Sequence, residues 1–104
     1  MDYSSFQLTD KIAMVTGPSQ GIGRAIALGL AKAGAHLVLA EHPSYHQEAL
    51  ASLKAEIEKM GRKTLLTPLD VGDVSQIRAA FAKVKETFGR LDVLVNNASW
   101  TCTG

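Results

Sequence analysis

The sequence has 104 residues, enough for one small domain. Its 46% of hydrophobic and 20% of charged residues are typical of a globular chain and exclude extended disorder. The formal net charge is +1 and the charges are interspersed, which excludes the concentrated basic face that nucleic-acid binding needs.

Three features bear on where the protein works. Residues 1–9 lack the basic and apolar regions of a signal peptide. The most apolar stretch, residues 26–40, is too short and too interrupted to span a bilayer. The single cysteine, Cys102, cannot form an internal disulfide, which fits a reducing compartment. We therefore expect a cytoplasmic protein without a membrane partner.

Short apolar segments alternate with amphipathic segments along the chain. The apolar segments predict strands, and spacings of three and four between apolar residues predict helices. The predicted elements, in chain order, are strand 12–16, helix 21–33, strand 36–40, helix 47–60, strand 64–67, helix 74–88 and strand 91–95. Because strands that are apolar throughout alternate with helices, the pattern predicts an α/β fold with a doubly wound parallel sheet, covered by helices on both faces.

Residues at the helix ends agree with this assignment. A glycine follows each predicted helix, at Gly34, Gly61 and Gly89, where a left-handed backbone can end the helix. Asp73, with Gln76 three residues later, resembles a capping box for the third helix.

The first strand runs directly into a glycine-rich turn, T-G-P-S-Q-G-I-G-R, over residues 16–24. Gly17 lets the chain leave the strand sharply. Gly21 has no side chain to keep a diphosphate away from the backbone, and Gly23 lets the helix lie close to the sheet. This spacing predicts a phosphate-binding turn between a strand and a helix.

The donors for such a phosphate are backbone N–H groups. We expect them from Ser19, Gln20, Gly21 and Ile22, at the positive end of the helix dipole. A tight turn without a ligand is the alternative, and the three glycines together favour binding.

Three motifs taken together resemble the short-chain dehydrogenase/reductase family. T-G-P-S-Q-G-I-G-R-A-I-A is similar to its cofactor turn, Asp70-Val71 follows the third strand, and Asn96-Asn97-Ala98-Ser99 follows the fourth. The resemblance covers residues 6–99 and implies a Rossmann-type sheet of order 3-2-1-4. It also implies that residues 1–104 are the N-terminal part of a single NAD(P)-binding domain, with residues 1–9 as an N-terminal arm and 100–104 as a tail.

Glu41 ends the second strand, a position that faces the adenosine ribose in a doubly wound sheet. A carboxylate there can accept hydrogen bonds from ribose hydroxyls and repels a 2′-phosphate. Relatives that prefer NADP usually carry a basic residue just after this position or in the glycine turn. Here His42 and residues 18–20 supply no reliable cation, so we expect NAD rather than NADP. The alternative is a solvated strand end.

The resemblance also implies roles for residues after the third and fourth strands. The Asp70 carboxylate and the Val71 backbone would hold the adenine edge, although Asp is also common in turns. Asn97 and Ala98 would line the cofactor ribose. Asn96 would brace the sheet by side-chain hydrogen bonds.

Two neighbouring residues complete this region. Thr16 would order the turn rather than contact the cofactor. Family members usually have glycine where this sequence has Ser99, which bears on how closely a ligand can approach there.

The resemblance implies an oxidoreductase that moves a hydride between nicotinamide and a small alcohol or carbonyl substrate, whose identity stays open. Its chemistry depends on a Y-x-x-x-K motif, and neither Tyr3 nor Tyr45 is followed four residues later by lysine. We therefore expect no catalytic residue here, and no activity from the 104 residues alone. The alternatives are a non-catalytic dinucleotide-binding module and an interaction fragment.

Two further expectations concern metals and assembly. His36, His42 and His46 share no helix face at a metal-ligand spacing, so we expect no metal site. The fourth strand would form an uncovered apolar edge, with Trp100 just beyond it, and such an edge favours self-association.

Overall fold

A computed structural model of the chain describes residues 7–98. Within them, strands and helices alternate in the predicted order, and their ends agree with the predicted ends to within two residues. The elements are β1 (Ile12–Thr16), α1 (Gly21–Lys32), β2 (His36–Glu41), α2 (Gln47–Lys59), β3 (Thr64–Pro68), α3 (Val74–Phe88) and β4 (Val93–Asn96).

The four strands form one parallel sheet of order β3-β2-β1-β4, which confirms the predicted fold class. In the register, Thr16 at the end of β1 pairs with Ala40 of β2 and Asn96 of β4. On the other side of β2, Glu41 pairs with Pro68. Because the strands are parallel, their carboxyl ends meet at one edge, where the loops that follow them come together.

Helices cover both faces of the sheet, as predicted. Successive strand residues point to opposite faces. Val15 and Leu39 pack in one cluster with residues of α1 and α2, whereas Met14 and Val38 pack in the other with Ala80 of α3. β1 and β2 are therefore enclosed on both faces and form the centre of the core.

The helix ends are mostly as predicted. Gly34, Gly61 and Gly89 have φ values of 110°, 84° and 79°. The capping box of α3 is only half formed. The Asp73 carboxylate accepts from the amides of Ser75 (2.9 Å) and Gln76 (3.4 Å), but the Gln76 side-chain oxygen accepts from the amide of Asp70 instead of that of Asp73. The cap of α3 is thereby tied to the loop after β3.

The two edges of the sheet differ. β3 ends at Pro68, which cannot donate a ladder hydrogen bond and is typical of an edge strand. No strand of residues 7–98 pairs with the free side of β4, and Leu94 within it is 50% exposed. None of the helices in these residues is long and apolar enough to cross a bilayer. The expectations for Ser99, Trp100, Cys102, the first six residues and the tail lie outside the described residues.

Candidate functional site

Thr16 joins the glycine turn to the loop after β4. Its hydroxyl donates to the Asn96 side-chain oxygen (3.1 Å) and accepts from the amides of Asn97 (2.9 Å) and Ala98 (3.0 Å). The Thr16 side chain is buried, so these bonds are partly shielded from water. The ordering roles expected of Thr16 and Asn96 are confirmed.

The three glycines of the turn differ in their backbone conformation and in the space that a side chain would have. Gly17 has a φ of 63°, and a Cβ there would lie 3.2 Å from the Ala98 Cα. A Cβ on Gly23 would lie only 2.2 Å from the Gly17 carbonyl oxygen and 2.6 Å from the Asn97 Nδ2, which itself donates to that carbonyl. Gly21 has a φ of 57°, yet its Cβ would meet nothing within 4 Å. Gly17 and Gly23 thus allow close packing, and Gly21 faces open space.

Helix α1 begins without a side-chain cap. Gln20 is its N-cap residue and makes no capping hydrogen bond through its side chain, in contrast to Asp73 at the start of α3. The first helical bond runs from the amide of Arg24 to the carbonyl of Gln20. Among residues 7–98, no acceptor is bonded to the amides of residues 20–23. Four N–H groups therefore point out of the helix at the positive end of its dipole.

The structure differs from the prediction at Ser19. This residue is only 1% exposed, and its amide and hydroxyl both donate to Oε2 of Glu41, at 3.3 and 2.6 Å. Its N–H is therefore not available to a phosphate, and the set of free donors is shifted by one residue toward Gly23. Glu41 is 8% exposed and not a solvated strand end.

A cleft of about 470 Å³ opens above the carboxyl ends of the strands. It brings together seven of the eleven residues predicted to bind the cofactor: Gly17, Gln20, Glu41, Asp70, Val71, Asn97 and Ala98. Of the other four, Ser19 and Gly23 are buried behind it. Gly21 and Ile22 are exposed in the first turn of α1, directly after Gln20.

One wall of the cleft is missing from the sequence prediction. His42, Tyr45 and His46 line it, in the segment between β2 and α2 for which the sequence predicts neither a strand nor a helix. The His42 and Tyr45 rings stack with centroids 4.2 Å apart, and the His42 Nδ1 accepts from the amide of Ser44 at 3.1 Å. The signal that could have found this wall is its place after β2, because ligands bind beyond the carboxyl ends of parallel strands.

Asp70 is both a turn residue and part of the cleft. Its Oδ1 accepts from the amide of Gly72 (2.9 Å) and its carbonyl accepts from the amide of Asp73 (2.9 Å). Its Oδ2 lies 3.7 Å from the His42 Nε2, and both residues line the cleft. The turn role is thus present in the structure, and Asp70 is part of the cleft as well.

Two further observations concern the contacts of Arg24 and the possibility of a metal site. The guanidinium of Arg24 pairs with Glu56 and donates to the carbonyl of Ala49 on α2, so it braces α1 against α2. Among residues 7–98, no three His, Cys, Asp or Glu side chains are grouped so that they could hold a metal ion.

The cleft offers donors and acceptors of the kind that a dinucleotide needs. Gln20 lines it and begins the row of amides of residues 20–23 that have no acceptor among residues 7–98, Gly21 leaves open space beside this row, and a carboxylate lies at the end of β2. A parallel sheet of order β3-β2-β1-β4 with such a cleft above its carboxyl edge defines the class of Rossmann-type nucleotide-binding folds.

Within this class the chain belongs to the short-chain dehydrogenase family, whose model matches residues 11–104. The 15-hydroxyprostaglandin dehydrogenase (NAD(+)) of Homo sapiens is 46% identical over 90 residues, which are 85% of this chain and 33% of that protein. The chain spans about a third of the length of the curated relatives it matches.

Solved structures give the same family. The carveol dehydrogenase of Mycobacterium avium, in complex with NAD, superimposes with a TM-score of 0.82 at 27% identity, over 89% of this chain and 37% of that one. The L-sorbose reductase of Gluconobacter frateurii, complexed with NADPH and L-sorbose, superimposes with a TM-score of 0.78 at 42% identity, over 90% and 35% of the two chains.

Proposed function

We propose that this chain is the dinucleotide-binding part of an oxidoreductase that moves a hydride between nicotinamide and a small alcohol or carbonyl substrate. The observation that carries the proposal is the row of four amides at the start of α1 that have no acceptor among residues 7–98, beside the open space at Gly21. A diphosphate carries the acceptor oxygens and the negative charge that such a helix end stabilises. The nicotinamide of the bound dinucleotide would supply the hydride chemistry.

The other cleft residues would contact the remaining parts of the dinucleotide. Glu41 lies at the end of β2, where it would contact the adenosine ribose. Asp70 and Val71 would hold the adenine edge, and Asn97 and Ala98 would line the ribose nearer the nicotinamide. Gly17 and Gly23 would act indirectly, because they let the turn, the start of α1 and the loop after β4 pack closely together.

The proposal is tested by a pair of glycine variants with the same backbone cost. Gly21→Ala and Gly61→Ala both place alanine at a positive φ with nothing within 4 Å, so each should lower the free energy of unfolding by about 1–2 kcal/mol. Only the Gly21 methyl would occupy the space beside the amides. We expect Gly21→Ala to weaken NAD binding about tenfold or more, which is about 1.4 kcal/mol, and Gly61→Ala to leave it unchanged.

Titration calorimetry at a temperature where both variants are folded measures these affinities. Equal NAD affinities for the two variants would place the diphosphate elsewhere, and no NAD binding by the unaltered chain would end the proposal.

We further propose that the cofactor is NAD rather than NADP. Relatives are solved with NAD and with NADPH, so the preference rests on Glu41. Its carboxylate is fixed and almost fully buried at the end of β2, and a 2′-phosphate brought beside it would meet a like charge, at a cost of several kcal/mol. We expect NADP to bind at least tenfold more weakly than NAD in parallel titrations, and tighter NADP binding would contradict the assignment.

Binding without turnover is the second candidate for the 104 residues taken alone. Neither Tyr3 nor Tyr45 begins a Y-x-x-x-K motif, and a tyrosine needs such a partner because its unperturbed pKa is about 10. We expect NAD binding but no NADH formation from a panel of alcohols. NADH formation by these residues would contradict this candidate. Co-purification with a longer homologous chain would instead favour an interaction fragment.

A further inference from the structure

Glu41 is held in place from the glycine turn and from its own strand end. Its Oε2 accepts from both the amide (3.3 Å) and the hydroxyl (2.6 Å) of Ser19, and its Oε1 accepts from the amide of His42 (2.9 Å). Short hydrogen bonds to a carboxylate are among the stronger ones in proteins. With Glu41 8% exposed and Ser19 1% exposed, these bonds are largely shielded from water.

After these bonds are formed, the two carboxylate oxygens of Glu41 differ in how many further hydrogen bonds they can accept. Each oxygen has about two acceptor positions. Ser19 fills both positions of Oε2, whereas the single bond from His42 leaves one position on Oε1. Ser19 itself does not line the cleft, so its hydroxyl can act on a ligand there only indirectly, through Glu41, which it bonds, or through the path of the turn.

We propose that Ser19 is a positioning residue that sets the preference for NAD over NADP by holding the Glu41 carboxylate in place. The inference rests on the proposed function. A glutamate side chain has three rotatable bonds and loses conformational entropy when it is fixed. With the Ser19 hydroxyl bound to it, its negative charge and one free acceptor position stay beside the ribose. Without that bond the carboxylate keeps only the amide bonds from Ser19 (3.3 Å) and His42 (2.9 Å). It is then freer to turn toward water, where it neither accepts from a ribose hydroxyl nor repels a 2′-phosphate.

The test is Ser19→Ala in the full chain, with the dissociation constants of NAD and NADP measured by calorimetry. We expect the ratio of the NADP constant to the NAD constant to fall about tenfold, the size of effect that loss of one hydrogen bond to a charged group produces. Ser44→Ala is the matched control. Ser44 is exposed, and its backbone amide, which the variant keeps, is what bonds His42. This control should leave the ratio unchanged.

A double-mutant cycle separates positioning from a general structural role. In a Glu41→Gln background there is no carboxylate charge for Ser19 to position. Adding Ser19→Ala to it should therefore leave the ratio of the NADP to the NAD dissociation constant as it is in Glu41→Gln alone. A Ser19 that only stabilises the turn would weaken both cofactors alike and leave the ratio unchanged in both backgrounds. That result would overturn the inference.

A second variant covers the case in which Ser19→Ala does not fold. Ser19→Cys keeps a side chain of similar shape but offers a much weaker donor, and it should shift the ratio in the same direction by a smaller factor. A ratio equal to that of the unaltered chain would again overturn the inference. Failure of the unaltered chain to bind NAD would refute the proposed function itself, so the two failures are distinguishable.

Discussion

Gly23 is the residue at which α1 comes closest to the glycine turn. Its missing side chain leaves room for the Gly17 carbonyl and the Asn97 amide group, which a Cβ would approach to 2.2 and 2.6 Å. The carbonyl is backbone and cannot move without displacing the turn. We therefore expect Gly23→Ala to lower the free energy of unfolding by about 1–3 kcal/mol or more, as overpacking does, and to abolish NAD binding.

Urea unfolding of Gly23→Ala beside Gly89→Ala checks this prediction. Gly89 follows α3 with a φ of 79° and open space around its Cβ, so its variant carries only the backbone cost, about 1–2 kcal/mol. If Gly23→Ala bound NAD normally and were no less stable than Gly89→Ala, the turn would have more freedom than its contacts indicate.

Residues of the site differ in how well the sequence predicts them. The places of Gly17 and Gly23 follow from their spacing between a strand and a helix, because that local geometry recurs wherever such a turn meets a phosphate. The pairing of Ser19 with Glu41 does not follow, since it joins residues 22 positions apart and depends on the path of the turn above β2. The sequence therefore predicts two separate cofactor contacts where the structure has one bonded pair.

At the scale of elements, the start of α3 makes the fold sensitive to acid. Hydrogen bonds from the Ser75 hydroxyl and the Gln76 amide hold the pKa of Asp73 below its ordinary value. A carboxylate with a lowered pKa in the folded state contributes stability above its unfolded pKa of about 3.9, and this contribution is lost as the pH falls through the lower, folded value. The Asp73 cap should therefore stabilise the fold at pH 7 and fade below about pH 4.

Thermal melts of Asp73→Ala and Asp73→Asn at pH 7 and pH 3 measure this contribution. Asparagine also caps helices, whereas alanine does not. We expect the melting temperature at pH 7 to fall in the order native, Asn, Ala, and the gap between native and Ala to narrow at pH 3. A gap of the same size at both pH values would show that the carboxylate charge has no part in the cap.

The elements themselves follow from the sequence because hydrophobic periodicity, glycines and caps agree along the whole chain. The deviation at β4 has an identifiable cause. The apolar run suggests a strand from Leu91, but Leu91 packs beside the cluster under α3, and Asp92 bonds Ile12 through both its amide (2.9 Å) and its carboxylate (2.8 Å). The strand starts at Val93, a shift that depends on a side chain bonding the neighbouring strand and that periodicity does not predict.

At the scale of the whole molecule, the cleft is a product of topology. Residues from the turn after β1, the end of β2 and the loops after β3 and β4 meet only because parallel strands bring their carboxyl ends to one edge. The same topology puts β4 at the side of the sheet, with an open apolar depression between it and α3 that Leu94, Phe81 and Ile77 line.

We expect the 104-residue chain to self-associate through β4. An unpaired strand edge offers backbone donors and acceptors to another chain, and Leu94 is a large apolar side chain left half exposed on it. Leu94→Lys should move the chain toward the monomer in sedimentation velocity across a range of concentrations, since lysine is the residue that natural edge strands use against such pairing. Val74→Lys makes the same change in charge at a site 62% exposed on α3, outside β4, and should leave the association unchanged. If the unaltered chain sedimented as a monomer at every concentration, or if both variants dissociated it alike, the edge of β4 would not be the surface that brings chains together.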